Sequence, residues 1–97
     1  PAGYADGLSR ALSNRCSFLL HGVRVPVVGR ICMDMFMIDV TDIECEITDE
    51  VILFGTDGRL SVSVEEIGER SMSFNYEIVC GVSRRIPRVY KKDGKII

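Results

Sequence analysis

Residues 28–40 carry the side chains whose types and spacing most suggest chemistry. Arg30 and Asp34 flank an apolar Ile-Cys-Met trio, and a strand core would not select such charges for stability alone. The residues that follow alternate, so that Met35 and Met37 face one side of a strand and their apolar neighbours face the other. The residues alone name no catalytic site, because the chain has no Ser-His-Asp set, no phosphate-binding glycine loop and no obvious carboxylate dyad.

Three other short motifs accompany this segment along the chain. They are Ala2-Gly3-Tyr4-Ala5-Asp6-Gly7, Asn75-Tyr76-Glu77 and Arg84-Arg85-Ile86-Pro87-Arg88. Each motif is weak alone. Their order and spacing together, with Met33 placed 29 positions after Tyr4, closely resemble the C-terminal domain of bacterial alanine racemases. Those enzymes use pyridoxal phosphate to interconvert L- and D-alanine, and the resemblance covers nearly the whole chain.

The resemblance implies a division of labour between two domains. In this family an N-terminal α/β barrel holds pyridoxal phosphate on a lysine, and a C-terminal β domain covers the mouth of the partner subunit's barrel in a head-to-tail homodimer. Residues 1–97 would be that β domain, with the barrel, the catalytic lysine and the catalytic tyrosine outside this chain. The chain opens inside a motif and ends on an apolar pair, so we expect a piece of a longer protein that is inactive alone.

Tyr4 and Met33 are the substrate-binding residues that the resemblance implies. Tyr4 resembles a second active-site tyrosine, which confines the substrate and transfers no proton. Met33 resembles a methionine whose backbone N–H donates to the substrate carboxylate. A main-chain donor suits that task because it is rigid and uncharged, so it orients the amino acid without disturbing the electronics of the cofactor. Ordinary packing is the alternative interpretation of both side chains.

Arg10, Arg30 and Asp34 resemble the polar lining of the substrate entrance. An arginine and a carboxylate at such a mouth can attract a zwitterion and hold one another in place. The alternative is a solvated surface ion pair, which contributes little energy when it is exposed.

Two aromatic residues follow near the predicted second helix. Tyr76 resembles a tyrosine that reaches the cofactor phosphate within its own subunit, a task that suits a neutral phenol donor. Phe74 occupies a position where the family commonly has an aliphatic residue, so its larger ring would narrow the entrance. Arg88 matches the family's C-terminal arginine motif and is expected to support the same entrance.

Several functions remain open at this point. The same motifs would occur in a serine/alanine racemase, whose larger form carries an N-terminal membrane region, and sequence upstream of this domain would separate the two. A non-catalytic β interaction module would explain the composition, but it would make the ordered motifs a coincidence. Decarboxylases built on a related barrel have a different local pattern here. For the racemase, we expect D-alanine to supply peptidoglycan precursors.

Composition favours one small globular domain. The chain has 97 residues, a hydrophobic fraction of 46% and a net charge of −2, and its basic residues are scattered, which argues against a nucleic-acid partner. No apolar run reaches membrane-spanning length, so we expect a cytoplasmic protein without membrane contact. The four cysteines lack metal-ligand spacing, so we expect no metal site and interpret them as buried free thiols.

Short apolar runs separated by turn residues predict an all-β fold, a small barrel or sandwich of hairpins with one or two short helices. The predicted hairpins join Cys16–Leu20 to Val23–Val28, Val51–Phe54 to Leu60–Val64, and Arg88–Lys91 to Ile96–Ile97, and a further strand covers Met35–Val40. The first hairpin would turn at an exposed His21-Gly22 pair. Pro26 indicates an edge strand or a bulge.

Two helices are expected to interrupt the strands. Ser63 and Glu66 have the spacing of a capping box, which predicts a helix that runs to Arg70 with Val64 and Ile67 on its buried side. Asn75–Cys80 is predicted as a second helical turn that ends at a glycine.

Overall fold

A three-stranded antiparallel sheet lies at the centre of the fold in a computed structural model that describes residues 1–97. Strand β1 (Ser17–Leu20) pairs with β2 (Val23–Val28), and β2 pairs with β3 (Met37–Ile38). Burial alternates along β2, where Val25 and Val27 point inward, whereas β1 is buried continuously from Phe18 to Leu20 and is therefore covered on both faces.

The turn between β1 and β2 matches the sequence prediction. His21 and Gly22 have positive φ angles of 51° and 71°, which suit the two-residue turns that follow the twist of a hairpin. His21 is exposed as predicted, and its Nε2 lies 2.8 Å from the Asp49 carboxylate.

Pro26 lies in the middle strand, so the prediction of an edge strand or a bulge is wrong. The pairing register of β2 runs without interruption past Pro26, which stands opposite Ser17. The Pro26 carbonyl accepts a hydrogen bond from the Asp39 N–H at 2.9 Å, just beyond the end of β3. Because β3 is only two residues long, it requires few donors from β2, and the N–H that proline lacks leaves the sheet intact.

Strand β3 is shorter than the predicted Met35–Val40 segment. The Met35 carbonyl accepts a hydrogen bond from the Cys32 N–H at 2.9 Å, which closes a turn directly before the strand. The predicted alternation is confirmed, since Phe36 and Ile38 pack against the core while Met37 is exposed.

The second hairpin is displaced from its predicted position. Strands β4 (Gly55–Asp57) and β5 (Leu60–Val62) pair across a turn at positions 58 and 59, so residues predicted as a linker form a strand. In the preceding apolar run, Ile52 pairs only with Leu19 of β1. Val51, Ile52 and Leu53 pack against the core cluster and are thereby partly buried without a hairpin partner, whereas Phe54 is exposed.

A third hairpin, of β6 (Lys91–Lys92) and β7 (Lys95–Ile96), ends the chain. It turns at Asp93 and Gly94, both at positive φ, where the sequence placed a turn. Both strands are exposed; β6 is shorter than predicted, and β7 begins one residue earlier than predicted.

Two short helices cover one side of the fold, α1 (Val64–Arg70) and α2 (Asn75–Cys80), as predicted. The Ser63 hydroxyl accepts from the Glu66 N–H at 3.0 Å, which confirms the first half of the capping box. The second half is absent, because the Glu66 carboxylate binds Arg24 in β2 instead. Ile67 is buried as predicted, whereas Val64 is only partly buried.

The core is one cluster that joins the central sheet to α1 and to the N-terminal segment. Its nine buried members are Leu8, Leu12, Cys16, Phe18, Leu19, Val27, Ile31, Val62 and Ile67. The predicted all-β class with two short helices is confirmed. Neither helix is long and apolar enough to cross a membrane.

The cysteines differ in their environments. Cys16 belongs to the core, and burial, assisted by the charge of Glu66, raises the pKa of its thiol to about 11. Cys32, Cys45 and Cys80 are exposed free thiols, so the prediction of buried thiols is correct for Cys16 only.

Candidate functional site

Tyr4 and Met33 lie on two segments that are joined through their backbones. Tyr4 begins a 3-10 turn, and its N–H donates to the Cys32 carbonyl at 2.9 Å. The next N–H, of Ala5, donates to the Met33 carbonyl at 3.0 Å. Gly3 permits this contact, because a Cβ at that position would overlap the carbonyl oxygens of both Cys32 and Met33.

Gly7 closes the turn that carries Tyr4. Its φ of 108° lies in the left-handed region, and its N–H donates to the Tyr4 carbonyl at 3.2 Å. A Cβ on Gly7 would overlap the carbonyl of Gly81, so the end of α2 packs directly on the Tyr4 turn. Glycines at both ends of this turn therefore let three segments meet closely.

The segment before β3 presents its backbone and its methionines to solvent. The Ile31 N–H is held by the Ser13 hydroxyl at 2.8 Å, and the Ile31 side chain is buried. Met33 is about half exposed, and its N–H donates to no acceptor within the chain. The side chains of Met35 and Met37 are exposed beside it. The segment thus offers a backbone donor on an open apolar surface.

The predicted entrance arginines do not pair with Asp34. The Arg10 guanidinium lies 6.0 Å from the centroid of the Tyr4 ring, within the range of a weak cation–π contact. Arg30 is exposed and forms no ion pair. An arginine does hold Asp34, as expected of the entrance lining, but it is neither Arg10 nor Arg30.

Arg85 is the residue that the sequence reasoning missed. Its Nη2 donates to Asp34 at 2.7 Å, and its Nε lies 3.3 Å from Asp6 in the Tyr4 turn. The hydrogen bond to Asp34, and then the charge of Asp6, raise the pKa of Arg85. Arg85 belongs to the C-terminal arginine motif, but no neighbouring residue in the sequence indicates that it binds the distant carboxylates of Asp6 and Asp34.

Tyr76 and Phe74 lie at the start of α2, and both are exposed. No hydrogen bond, ion pair or ring contact joins either side chain to Tyr4, Arg10 or Met33. The Tyr76 hydroxyl forms no hydrogen bond within the chain and is free to donate. The backbone bonds and the Arg10 contact therefore join Tyr4, Met33 and Arg10 in one group, to which Arg85 connects Asp34. No contact is seen between this joined group and the side chains of Arg30, Phe74 and Tyr76.

Arg88 is bound within its own loop. Its guanidinium donates to the carbonyls of Val82, Ser83 and Ile86 at 2.6–2.7 Å. These hydrogen bonds fix the loop that carries Arg85. The structure therefore shows Arg88 supporting this loop.

The predicted site is an open face rather than a cavity. A cavity of about 360 Å³ with a mainly apolar lining lies between the N-terminal segment, residues 50–54 and the helices. None of the predicted site residues lines it. The open face presents a free N–H, a phenol and guanidinium groups, which are groups that bind a carboxylate or a phosphate.

A family model described as "Alanine racemase, C-terminal domain" matches residues 1–90 of the chain. An alanine racemase of Methanococcus maripaludis is 56% identical over 91 residues, which cover 93% of this chain and 24% of the relative. Alanine racemase 1 of Caldanaerobacter subterraneus subsp. tengcongensis is 53% identical over 95 residues, which cover 97% of this chain and 24% of the relative.

Solved structures are similar over the same extent. The alanine racemase of Clostridium difficile 630 has a TM-score of 0.88 and 42% identity, covering 100% of this chain and 26% of that one. The racemase of a D-cycloserine-producing Streptomyces lavendulae has a TM-score of 0.89 and 37% identity, covering 95% of this chain and 24% of that one. The chain spans about a quarter of the length of the curated relatives it matches.

Proposed function

Since the chain belongs to the alanine racemase family, in which it matches the C-terminal domain, we propose that it completes the active site of an enzyme that interconverts L- and D-alanine. The observation that carries the proposal is the match of residues 1–90 to that domain, supported by 56% identity to a racemase over 93% of the chain. The remaining part of such an enzyme would supply the barrel, the lysine and the catalytic tyrosine, so the chain alone would not racemise alanine.

Met33 would bind the carboxylate of the amino acid through its backbone N–H. That donor has no acceptor within the chain, and it lies next to the Tyr4 turn on the open face. A fixed N–H orients a carboxylate with little reorganisation, because the backbone that carries it is already held by the Tyr4 turn. Tyr4 would close the space beside the substrate, and Arg10 would hold its ring in place.

The Tyr76 hydroxyl would donate a hydrogen bond to the phosphate of pyridoxal phosphate. The exposed and unpaired phenol fits that task, because phosphate oxygens accept from neutral donors. When it is bound, the cofactor supplies an electron sink that stabilises negative charge at the α-carbon of the amino acid. The part of this chain is to hold and orient the groups around it.

The open face would be covered by the barrel of a second subunit. Its exposed methionines and arginines are residue types that are enriched at protein interfaces. An active site completed across subunits would make dimerisation a condition of activity. In a bacterial cell the D-alanine formed would supply peptidoglycan precursors.

A chimera tests the activity directly. Residues 1–97 replace the matching quarter of the Clostridium difficile racemase, and D-alanine formation is measured in the purified, cofactor-loaded dimer. The proposal expects racemisation by the chimera and none by the 97-residue chain alone. A folded, dimeric and cofactor-loaded chimera that lacks activity would contradict it.

A mixing experiment tests which subunit the domain serves. One chimeric subunit lacks the cofactor-binding lysine, and the other carries Tyr4→Ala with Arg10→Ala, which removes the ring proposed to close the space beside the substrate, so that each homodimer is impaired. Because the mixed dimer would contain one intact composite site, turnover above that of either homodimer is expected. No recovery in verified heterodimers would mean that the domain serves its own subunit's barrel.

A further inference from the structure

Arg85 forms ion pairs with two carboxylates that lie on the two segments of the joined group. Its Nη2 is 2.7 Å from Asp34 Oδ1, and its Nε is 3.3 Å from Asp6 Oδ1. The Asp34 side chain is half exposed, whereas that of Asp6 is only 10% exposed. One guanidinium thus connects a surface carboxylate to a largely buried one.

Asp6 connects Arg85 to the backbone of the Tyr4 turn. Its other oxygen, Oδ2, accepts from the Gly3 N–H at 2.9 Å, and its carbonyl accepts from the Ser83 N–H at 3.0 Å. Gly3 in turn lies against the Cys32 and Met33 carbonyls. Arg85 therefore connects the C-terminal segment to both segments that carry the proposed substrate-binding groups.

Asp34 also presents an electrostatic problem at this position. It follows Met33, whose free N–H is the proposed donor to the substrate carboxylate, so a bound carboxylate would lie near a second negative charge. Two negative charges close together repel each other, so this arrangement opposes carboxylate binding unless a nearby cation compensates it. Arg85 is the cation that contacts Asp34 in this structure.

We propose that Arg85 is a positioning residue for the substrate carboxylate, because it neutralises the charge of Asp34 next to the Met33 N–H. This inference rests on the function proposed above. It assigns to Arg85 an effect on the affinity for the amino acid, without contact with the reacting atoms.

The test compares three variants of the active chimera. Arg85→Met removes the charge, Arg85→Lys retains it, and Arg84→Met removes an adjacent exposed arginine that forms no ion pair. For Arg85→Met we expect KM for alanine to rise about tenfold while kcat changes less than about threefold. Arg85→Lys and Arg84→Met should stay within about threefold of the parent in KM.

Propionate provides a second measurement, because it carries the carboxylate of alanine without the amino group. Its inhibition constant should rise in Arg85→Met by the same factor as KM. An unchanged inhibition constant would overturn the assignment to carboxylate affinity, even if KM had risen.

The double variant Arg85→Met with Asp34→Asn separates charge from structure. If Arg85 acts by neutralising Asp34, removal of both charges should bring KM back toward the parent value. A purely structural role would leave the double variant at least as impaired as Arg85→Met alone, and that result would overturn the proposal. Circular dichroism and thermal melts of each dimer establish that the comparison is between folded proteins.

The two hypotheses fail in different ways. If the unsubstituted chimera forms no D-alanine, the proposed function is wrong. If that chimera is active and Arg85→Met leaves both KM and the propionate constant unchanged, the proposed function stands and the role of Arg85 is wrong.

Discussion

The backbone N–H of Tyr4 donates to the carbonyl oxygen of Cys32 at 2.9 Å, and together with the bond from the Ala5 N–H to the Met33 carbonyl it joins the Tyr4 turn to the segment that carries Met33. Two groups that are far apart in sequence therefore share one local frame. A change that displaces either segment moves both groups together, so substitutions under the turn should affect the whole face.

Gly3→Ala should destabilise the fold strongly. The φ of Gly3 is extended, so the effect is steric, because the new Cβ would overlap the Cys32 carbonyl and backbone atoms cannot move aside cheaply. We expect a loss of about 2–3 kcal/mol in the free energy of unfolding, measured by urea denaturation of the chain. Gly22→Ala is the matched control, since its Cβ meets nothing within 4 Å and only its positive φ should cost about 1 kcal/mol. Equal losses in both variants would contradict the close contact.

Tyr4→Phe should reduce kcat/KM of the active chimera without abolishing turnover. The substitution keeps the ring that Arg10 covers and removes only the hydroxyl. A loss on the order of 10²–10⁴-fold, the size expected when an acid–base group is removed, would place Tyr4 in proton transfer and contradict its confining role. Tyr90→Phe, which alters an exposed tyrosine on another segment, should leave kcat/KM unchanged.

Glu66 should make stability depend on pH below neutrality. Its hydrogen bonds with Arg24 lower the pKa of the carboxyl in the folded chain, so the stabilisation is complete above the unfolded pKa of about 4.3 and is lost as pH falls through the folded value. Because Arg24 is partly exposed, the ion pair is weakened by solvent. We therefore expect the free energy of unfolding of the unsubstituted chain to exceed that of the Glu66→Gln variant by only about 0.5–1 kcal/mol at pH 7.

The measurement is the free energy of unfolding of both proteins from pH 7 to pH 3. The difference between them should shrink toward zero at the acid end. Glu69→Gln, which removes an exposed carboxylate without an ion pair from the same helix, is the control for the loss of one negative charge. A difference that grows as pH falls would reverse the sign and contradict the assignment.

Cys16 should resist thiol reagents in the native chain. Burial raises the pKa of its thiol to about 11, so at pH 8 almost no thiolate is present, and the sulfur is covered by the core. A disulfide reagent should modify three cysteines rapidly and the fourth only on unfolding, at least about 100-fold more slowly. Peptide mapping identifies the slow site, and labelling of Cys16 at the rate of Cys80 would contradict its burial.

Local signals account for the parts of the fold that the sequence predicts well. The His21-Gly22 pair specifies a two-residue turn, and Ser63 specifies where α1 begins, because both act on neighbouring backbone groups. The displaced second hairpin shows where local sequence signals no longer determine the structure. The apolar character of Val51–Phe54 indicates that this run packs inward, but only the tertiary fold decides that Ile52 pairs with Leu19 of β1 instead of with a hairpin partner.

The candidate site likewise has a part that the sequence predicts and a part that it does not. Tyr4 and Met33 belong to motifs that can be read from the sequence, and the structure brings their segments together. The partner of Asp34 could not be read, because Arg85 lies 51 positions further along the chain and several arginines were equally plausible. Charge pattern alone does not choose between partners that only the fold brings within reach.

The separation of Asp34 from Arg85 also determines when this face forms during folding. The hairpin of β1 and β2 closes over two residues, whereas the Asp34–Arg85 contact must close a loop of 51 positions, which costs more chain entropy. Contacts that close short loops, such as those of the β1–β2 hairpin, form first. The central sheet should therefore assemble early, and the C-terminal segment should dock late. The functional face is then a late product of folding, and a substitution that slows docking of residues 82–88 would delay the appearance of activity while leaving the sheet's own formation unaffected.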